Sequence, residues 1–199
     1  MAVVINGNGT VTGVTSGVGE VLQIQSTILD AITSFTSSSY TDFTNLNVSI
    51  TPSSTSSKIW VGVEMCLSNT TNGNYGSARL RRTIGGSNEV TVNGPDKTGY
   101  SNAKGGLYGV YSYNSWYFGS PKICSSFFDA PNTTSVCNYK VQILSHTGTT
   151  RVGANGYYTN RDNTADVFLN TIIYAWEVRS ACVSYTHLRA HETVLDLVC

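Results

Sequence analysis

The chain has 199 residues and a formal net charge of zero, because 12 Lys and Arg balance 12 Asp and Glu. This length suffices for one domain with its own hydrophobic core, and the lack of a basic surplus argues against binding to nucleic acid or to an anionic membrane. No segment is long and apolar enough to span a bilayer and no secretory signal peptide is recognisable, so we expect no membrane insertion.

The first 20 residues are rich in Gly, Val and Thr and nearly uncharged. Short β segments at Val3–Ile5 and Thr10–Thr12 flank an Asn-Gly pair, which is a strong signal for a tight turn. Because this stretch buries little surface by itself, we interpret residues 1–20 as an N-terminal β arm that pairs with a neighbouring chain or an upstream partner.

The segment Val21–Phe35 carries two patterns. Val21, Ile24 and Ile28 have helical spacing, whereas the β-branched residues around them favour strands, and we interpret the segment as strand. Several later segments alternate apolar and polar residues, as strands with one buried face do. These predicted strands are Leu46–Ile50, Lys58–Leu67, Tyr75–Ile84, Thr150–Val152 and Val167–Val178. One face of the first carries Leu46, Val48 and Ile50, and one face of the second carries Ile59, Val61, Val63 and Met65.

The clearest pattern lies in Phe127–Leu144, which predicts a strand, a turn and a longer strand. Pro131 and Asn132 are turn residues, and the strand beyond them places Tyr139, Val141 and Ile143 on its buried face. We therefore predict a central hairpin formed by Trp116–Phe128 and Tyr139–Leu144.

Four cysteines precede residue 183, and their spacing matches neither a zinc site nor a C-x-x-C redox motif. In the predicted hairpin, Cys124 and Cys137 would face each other and could form a disulfide. The alternative, which we favour, is that they are small buried apolar residues with free thiols.

About eight strands with regular turns and no convincing helix predict an all-β antiparallel sandwich over residues 21–180. The residues 107–118 are rich in aromatic, Gly and Asn residues. Tyr108, Tyr111, Tyr113 and Trp116 are our candidate receptor-binding residues, because such side chains suit stacking on sugars and adaptable protein contacts. The alternative is that the tyrosines line an interface between subunits.

The closing strand is apolar on both faces, so we predict that one face packs in the core and the other against a second subunit. We assign Ile172 to the core and Leu169 and Ile173 to the oligomer interface. No Ser-His-Asp or Cys-His spacing surrounds His146, the only histidine before residue 181. We expect no catalytic residue, no metal site and no cofactor.

The C-terminal segment 181–199 needs separate treatment, because Val183–Thr193 resembles the in-frame translation of a transposase sequencing adapter. The alternative is a short helix with His187 and His191 at a metal-ligand spacing. We favour a non-native tail, and we expect its removal after Ser180 to leave the melting temperature almost unchanged.

Four segments resemble, in this order along the chain, a family of small phage tail-fibre or virion proteins known from marine viral sequences. They are Val4–Gly13, Leu46–Ile59, Phe128–Gln142 and Ile172–Val178, which read VINGNGTVTG, LNVSITPSSTSSKI, FDAPNTTSVCNYKVQ and IIYAWEV. The resemblance covers nearly all of residues 1–178 and rests on the order of the segments, since no single one is diagnostic. Residues 107–118 depart from the family pattern.

This resemblance implies a jelly-roll-like sandwich similar to TNF and C1q heads, a homotrimer, and no catalytic motif. It implies a virion structural protein, made in the cytoplasm of a bacterial host, whose arm binds other virion proteins and whose head binds a host surface glycan or protein. The alternative function is a carbohydrate-binding module of a bacterial surface or secreted protein. An enzyme that degrades glycans would need a pair of catalytic carboxylates, which we do not recognise.

Overall fold

The computed structural model describes residues 4–5, 11–12, 20–69, 73–92, 106–111, 122–155, 167–168 and 170–180, and every helix or strand assigned within them is a β-strand. The strands, in chain order, are β1 (Val4–Ile5), β2 (Val11–Thr12), β3 (Val21–Leu29), β4 (Thr33–Phe35), β5 (Thr41–Ile50), β6 (Lys58–Met65), β7 (Leu67–Asn69), β8 (Tyr75–Ile84), β9 (Ser87–Thr91), β10 (Gly106–Tyr111), β11 (Ile123–Asp129), β12 (Cys137–Ser145), β13 (Thr150–Val152), β14 (Ala154–Asn155), β15 (Val167–Phe168) and β16 (Thr171–Val178). None of the described residues belongs to a helix that could cross a membrane.

Two antiparallel sheets form the sandwich. Sheet I has the strand order β11-β6-β16-β3, and sheet II has the order β10-β8-β12-β5 with β9 also paired to β8. Along the chain, every connection between these eight main strands crosses from one sheet to the other, except the one from β8 to β10. This nested order is that of an eight-stranded jelly roll. The predicted all-β, antiparallel, jelly-roll-like fold is confirmed.

The core lies between the two sheets and is built from alternate residues of their strands. Its fully or almost fully buried side chains include Leu46, Val48, Ile50, Ile59, Val61, Val63, Met65, Leu80, Tyr139, Val141, Ile143, Ile173 and Ala175. Burial of each large aliphatic side chain contributes about 1.5–3 kcal/mol. The predicted phase of β5, β6 and β12 is therefore confirmed.

The ambiguous segment at residues 21–35 forms two strands, β3 and β4, as predicted. Ile24 and Ile28, which suggested helical spacing, instead lie on the outer side of β3 and are 56% and 62% exposed. The two short β segments of residues 1–20 form β1 and β2, which pair antiparallel with Val4 opposite Thr12. Pairing of this arm with another chain stays a prediction.

The predicted central hairpin is wrong. Strand β11 pairs with β6 in sheet I, whereas β12 pairs with β8 and β5 in sheet II. The turn at Pro131 and Asn132 therefore carries the chain across the sandwich, and Asn132 adopts the left-handed conformation with φ of 52°. Cys124 and Cys137 consequently lie in different sheets. Both are free thiols, and Cys124 is exposed rather than buried.

The predicted phase of the closing strand is also wrong. Ile173 is 0% exposed and packs in the core of its own chain, so its side chain cannot form an oligomer interface. Ile172 faces outward and is only half-buried. Apolar residues occupy both sides of β16, so the alternation alone did not distinguish them. Leu169 lies outside the described residues.

Candidate functional site

The outer face of sheet I carries a row of large apolar side chains that run across all four strands. The strand register places Phe128 opposite Trp60, Trp60 opposite Trp176, and Trp176 opposite Ile24. Directly opposite residues of an antiparallel pair project from the same face. Two further rows lie beside this one: Ser126, Gly62, Tyr174 and Ser26, and then Cys124, Glu64, Ile172 and Ile28. We call these three rows the aromatic face.

The rings of the aromatic face pack against one another. The centroids of Trp60 and Phe128 are 5.7 Å apart with planes inclined by 22°, whereas Trp60 and Trp176 meet edge to face at 5.3 Å and 69°. Tyr174 lies 5.9 Å from Trp176. Such contacts contribute about 0.5–1.5 kcal/mol beyond the area that they bury, so they favour this arrangement of the rings.

Gly62 allows Tyr174 to lie against the sheet. A Cβ atom at Gly62 would be 2.1 Å from Cζ of Tyr174, which is far inside van der Waals contact. Partial burial and the nearby Glu64 carboxylate raise the pKa of the Tyr174 hydroxyl, so this group remains protonated. The position therefore requires glycine for close approach of the ring.

The aromatic face carries little net charge. Glu64 forms an ion pair with Lys122, with 2.6 Å between the carboxylate oxygen and the ammonium nitrogen. This interaction raises the pKa of the Lys122 ammonium group. Both side chains are partly exposed, so the pair contributes at most about 1 kcal/mol. Its main effect is to neutralise the carboxylate in the third row.

The outer face of sheet II is, by contrast, charged and polar. Lys140 forms ion pairs with Asp42 and Glu89, both at 2.7 Å, and Glu89 also binds Arg81 at 3.0 Å. Partial burial disfavours the Asp42 carboxylate, but hydrogen bonds from Lys140 and Gln142 outweigh that effect and lower its pKa. The arginines of β8 therefore act within the sheet, since Arg79 also binds Gln142 at 2.6 Å and stacks on Tyr40.

A cleft of about 220 Å³ lies beside an irregularity in β5, where Lys140 is paired with Asn47 and Gln142 with Asp42. Its polar lining is already bonded internally, because Asn138 donates to Asn47 and Ser49. The volume is below the about 300–1,000 Å³ of ordinary small-molecule sites. The cleft is therefore explained by the local irregularity in the pairing of β5 with β12, and it does not have the size of a small-molecule site.

A buried glutamate, Glu177, and a partly buried aspartate, Asp129, connect separate parts of the sandwich, and neither was predicted from the sequence. Glu177, 0% exposed, accepts hydrogen bonds from the Ser53 backbone N–H at 2.7 Å and from the Ser53 hydroxyl, the Ser57 hydroxyl and the Gln23 amide, each at 2.6 Å. Burial disfavours its charge, but these donors outweigh that effect and lower the pKa of Glu177. Glu177 thereby fixes the turn between β5 and β6 to β16.

Asp129 forms the second group. Its carboxylate pairs with Arg82 and accepts a hydrogen bond at 2.7 Å from the buried Tyr139 hydroxyl. Burial and the Asp129 charge raise the pKa of Tyr139, so its hydroxyl remains a donor. Because Asp129 lies in sheet I and both partners lie in sheet II, the group links the two sheets.

The predicted receptor-binding residues fall only partly within the described residues. Tyr108 and Tyr111 belong to β10, an edge strand of sheet II that pairs with β8. Tyr113 and Trp116 lie outside the described residues, as does Leu169. The aromatic face was not predicted, because its residues are far apart in sequence and only the strand register brings them together.

Comparison with known proteins identifies no matching family model and no similar curated protein. Among solved structures, the chain is similar to a chain in the structure of infectious bursal disease virus Gt strain. The identity is 12%, the TM-score is 0.40, and the match covers 82% of this chain and 38% of that chain. The VP2 subviral particle of that virus is similar at 10% identity and a TM-score of 0.39, with 81% and 39% covered. The chain thus spans less than half of these proteins. Similarity at this level carries no argument about function, and the jelly-roll assignment rests on strand order.

Proposed function

We propose that this chain is a non-enzymatic structural protein of a virion, used as a tail-fibre or head-like attachment domain. In this proposal it is made in the cytoplasm of a bacterial host and assembles as a homotrimer. The N-terminal arm joins it to other virion proteins. The proposal starts from the four ordered segments that resemble phage virion proteins, and the jelly roll is compatible with it because viral capsid and lectin domains use this fold.

The observation that best supports the proposal is that three of the segments that resemble phage virion proteins supply the hydrogen bonds that join the strands of the sandwich. The segment Leu46–Ile59 supplies the Ser53 and Ser57 donors, and Ile172–Val178 supplies the Glu177 that accepts them. The segment Phe128–Gln142 supplies both Asp129 and Tyr139. These segments therefore hold the scaffold, as expected of a family that shares a structural domain and varies its contact surface.

Host attachment is assigned to the aromatic-rich region that departs from the family pattern. Tyr108 and Tyr111 lie on an edge strand, where they and the following Tyr113 and Trp116 would meet a host surface glycan or protein. Tyrosine and tryptophan give large contact areas at a low cost in conformational entropy. A region that changes between relatives is the expected place for receptor choice.

A carbohydrate-binding module of a bacterial surface or secreted protein is the second candidate, because lectin domains also use jelly rolls. The two functions differ in where the protein is found. A secreted module would bind glycans as a monomer and would be recovered from cells or medium. A virion protein would be recovered from particles.

The test is mass spectrometry of phage particles purified on a density gradient from a culture that carries the gene. The tryptic peptide of residues 83–97, which follows Arg82, serves as the marker. We expect it to sediment with the major virion proteins and to be depleted from the soluble fraction. Recovery only from the soluble or cell-envelope fractions would refute the virion role.

A further inference from the structure

We propose that the aromatic face of sheet I is covered by a second copy of this chain. Among the described residues, Phe128, Ile28 and Ile24 are the three most exposed large apolar side chains, at 66%, 62% and 56%. All three lie on this face. Exposed apolar surface that is concentrated in one place marks an interaction site.

The size of the face fits an interface between proteins. The outer side of sheet I, most of which is the aromatic face, has four strands about 4.8 Å apart and about eight residues long and covers roughly 500 Å². With an equal area on the neighbouring copy of a trimer, the contact buries about 1,000 Å², which is the lower limit for a specific interface. Tryptophan, tyrosine and phenylalanine are also the residues enriched in interface cores.

The charge of the face permits contact with an identical copy. Within its three rows the one carboxylate, Glu64, is paired with Lys122, so these rows present no unpaired charge to a copy. The outer face of sheet II carries Lys140, Asp42 and Glu89 in one network and would lose more hydration on burial. Self-association is therefore favoured on sheet I.

The ring geometry argues against a sugar as the main occupant. Trp60 and Phe128 are nearly parallel, but Trp176 is inclined to Trp60 by 69°, so the three rings do not form one flat platform for a sugar. Ile24, Ile28 and Ile172 surround the rings and offer no hydrogen bond to a hydroxyl. An edge-to-face pair among aliphatic side chains forms an uneven apolar surface, which suits interdigitation with protein side chains.

This inference rests on the proposed function in that a virion subunit must assemble, but its test is independent. Light scattering over a dilution series of the full chain should give a multiple of the chain mass for the wild type. Ile28→Glu places a charge on the face and should give the mass of one chain. Val136→Glu is the matched control, because Val136 is an exposed valine (44%) outside the face, and it should assemble as the wild type does.

A second measurement needs no substitution. Cys124 is an exposed thiol in the third row of the face, and Cys66 and Cys137 are buried references. Alkylation of Cys124, followed by mass spectrometry of its peptide, should slow several-fold as the chain concentration rises.

A wild type that stays a single chain would overturn the inference, as would unchanged assembly of Ile28→Glu. Equal Cys124 labelling below and above the concentration at which light scattering shows assembly would overturn it as well. Assembly through this face by a chain that is missing from phage particles would retain the inference and remove the virion role.

Discussion

Substitution of Glu177 by glutamine should be among the most destabilising single-atom changes in the domain. The carboxylate is fully buried, and one oxygen accepts three hydrogen bonds while the other accepts one from Gln23. An amide can retain the three bonds as weaker, neutral ones. Its NH₂ group would then face the Gln23 donor, so the fourth bond would be lost.

The magnitude follows from the strength of these bonds. A hydrogen bond to a charged group contributes about 1.5–3 kcal/mol and a neutral one about 1 kcal/mol. Loss of one bond and weakening of three by about 0.5–2 kcal/mol each would cost roughly 3–9 kcal/mol, and removal of a buried charge offsets part of this. We expect Glu177→Gln to lower the free energy of unfolding by about 2–4 kcal/mol, or about 4–16 °C in Tm for a chain of this size.

Urea unfolding at one fixed chain concentration measures this change. The matched control is Glu64→Gln, because Glu64 is a strand glutamate whose side chain is 32% exposed and pairs with Lys122 at the surface. Its loss should cost less than about 1 kcal/mol. Equal effects of the two substitutions would mean that Glu177 is not a buried structural group.

Three further predictions follow from the same contacts. Because the pKa of Glu177 is lowered in the folded state, its stabilisation should be present above the ordinary value of 4.5 and lost as pH falls through the folded pKa, and stability–pH curves should be flatter for Glu177→Gln. Ile173→Ala should lower the free energy of unfolding of the dissociated chain by about 2–5 kcal/mol, and Ile172→Ala should lower it less, as urea titration would show. The reverse order would mean that Ile172 faces the core, as the sequence predicted. Gly62→Ala should lower the free energy of unfolding by about 1–3 kcal/mol, because the added Cβ displaces the Tyr174 ring. Calorimetry of the double variant Gly62→Ala/Tyr174→Ala should show a smaller loss than the sum of the two single variants, and additive losses would contradict the clash.

The sequence predicted individual strands better than their partners. In β12 the alternation of Tyr139, Val141 and Ile143 with polar residues identified the buried face, because only one side of that strand is apolar over most of its length. The pairing of β11 with β12 was mispredicted, since a short turn looks the same whether it joins paired strands or crosses a sandwich. Distant strands β6 and β8 decide that choice.

The closing strand shows a second limit. Its charged residue, Glu177, lies on the buried side together with Ile173, whereas a charge ordinarily indicates the solvent side. The donors that permit its burial come from Ser53, Ser57 and Gln23, which are more than 100 residues away. No local pattern in β16 contains that information.

The aromatic face had one usable signal in the sequence. In β6 the inward residues Ile59 and Val61 were predicted, which left Trp60 on the outer side of a strand that is otherwise well patterned. A large outward aromatic residue indicates a contact surface. Its neighbours Trp176 and Phe128 could not be added without the strand register.

The central claim is that this jelly roll belongs to a virion, and immunogold electron microscopy of purified phage particles tests it most directly. An antibody raised against the recombinant chain should label intact particles at one defined position, such as the tips of tail fibres, and labelling should be lost after competition with free protein. Absence of label on particles, with label on the bacterial surface instead, would contradict the account.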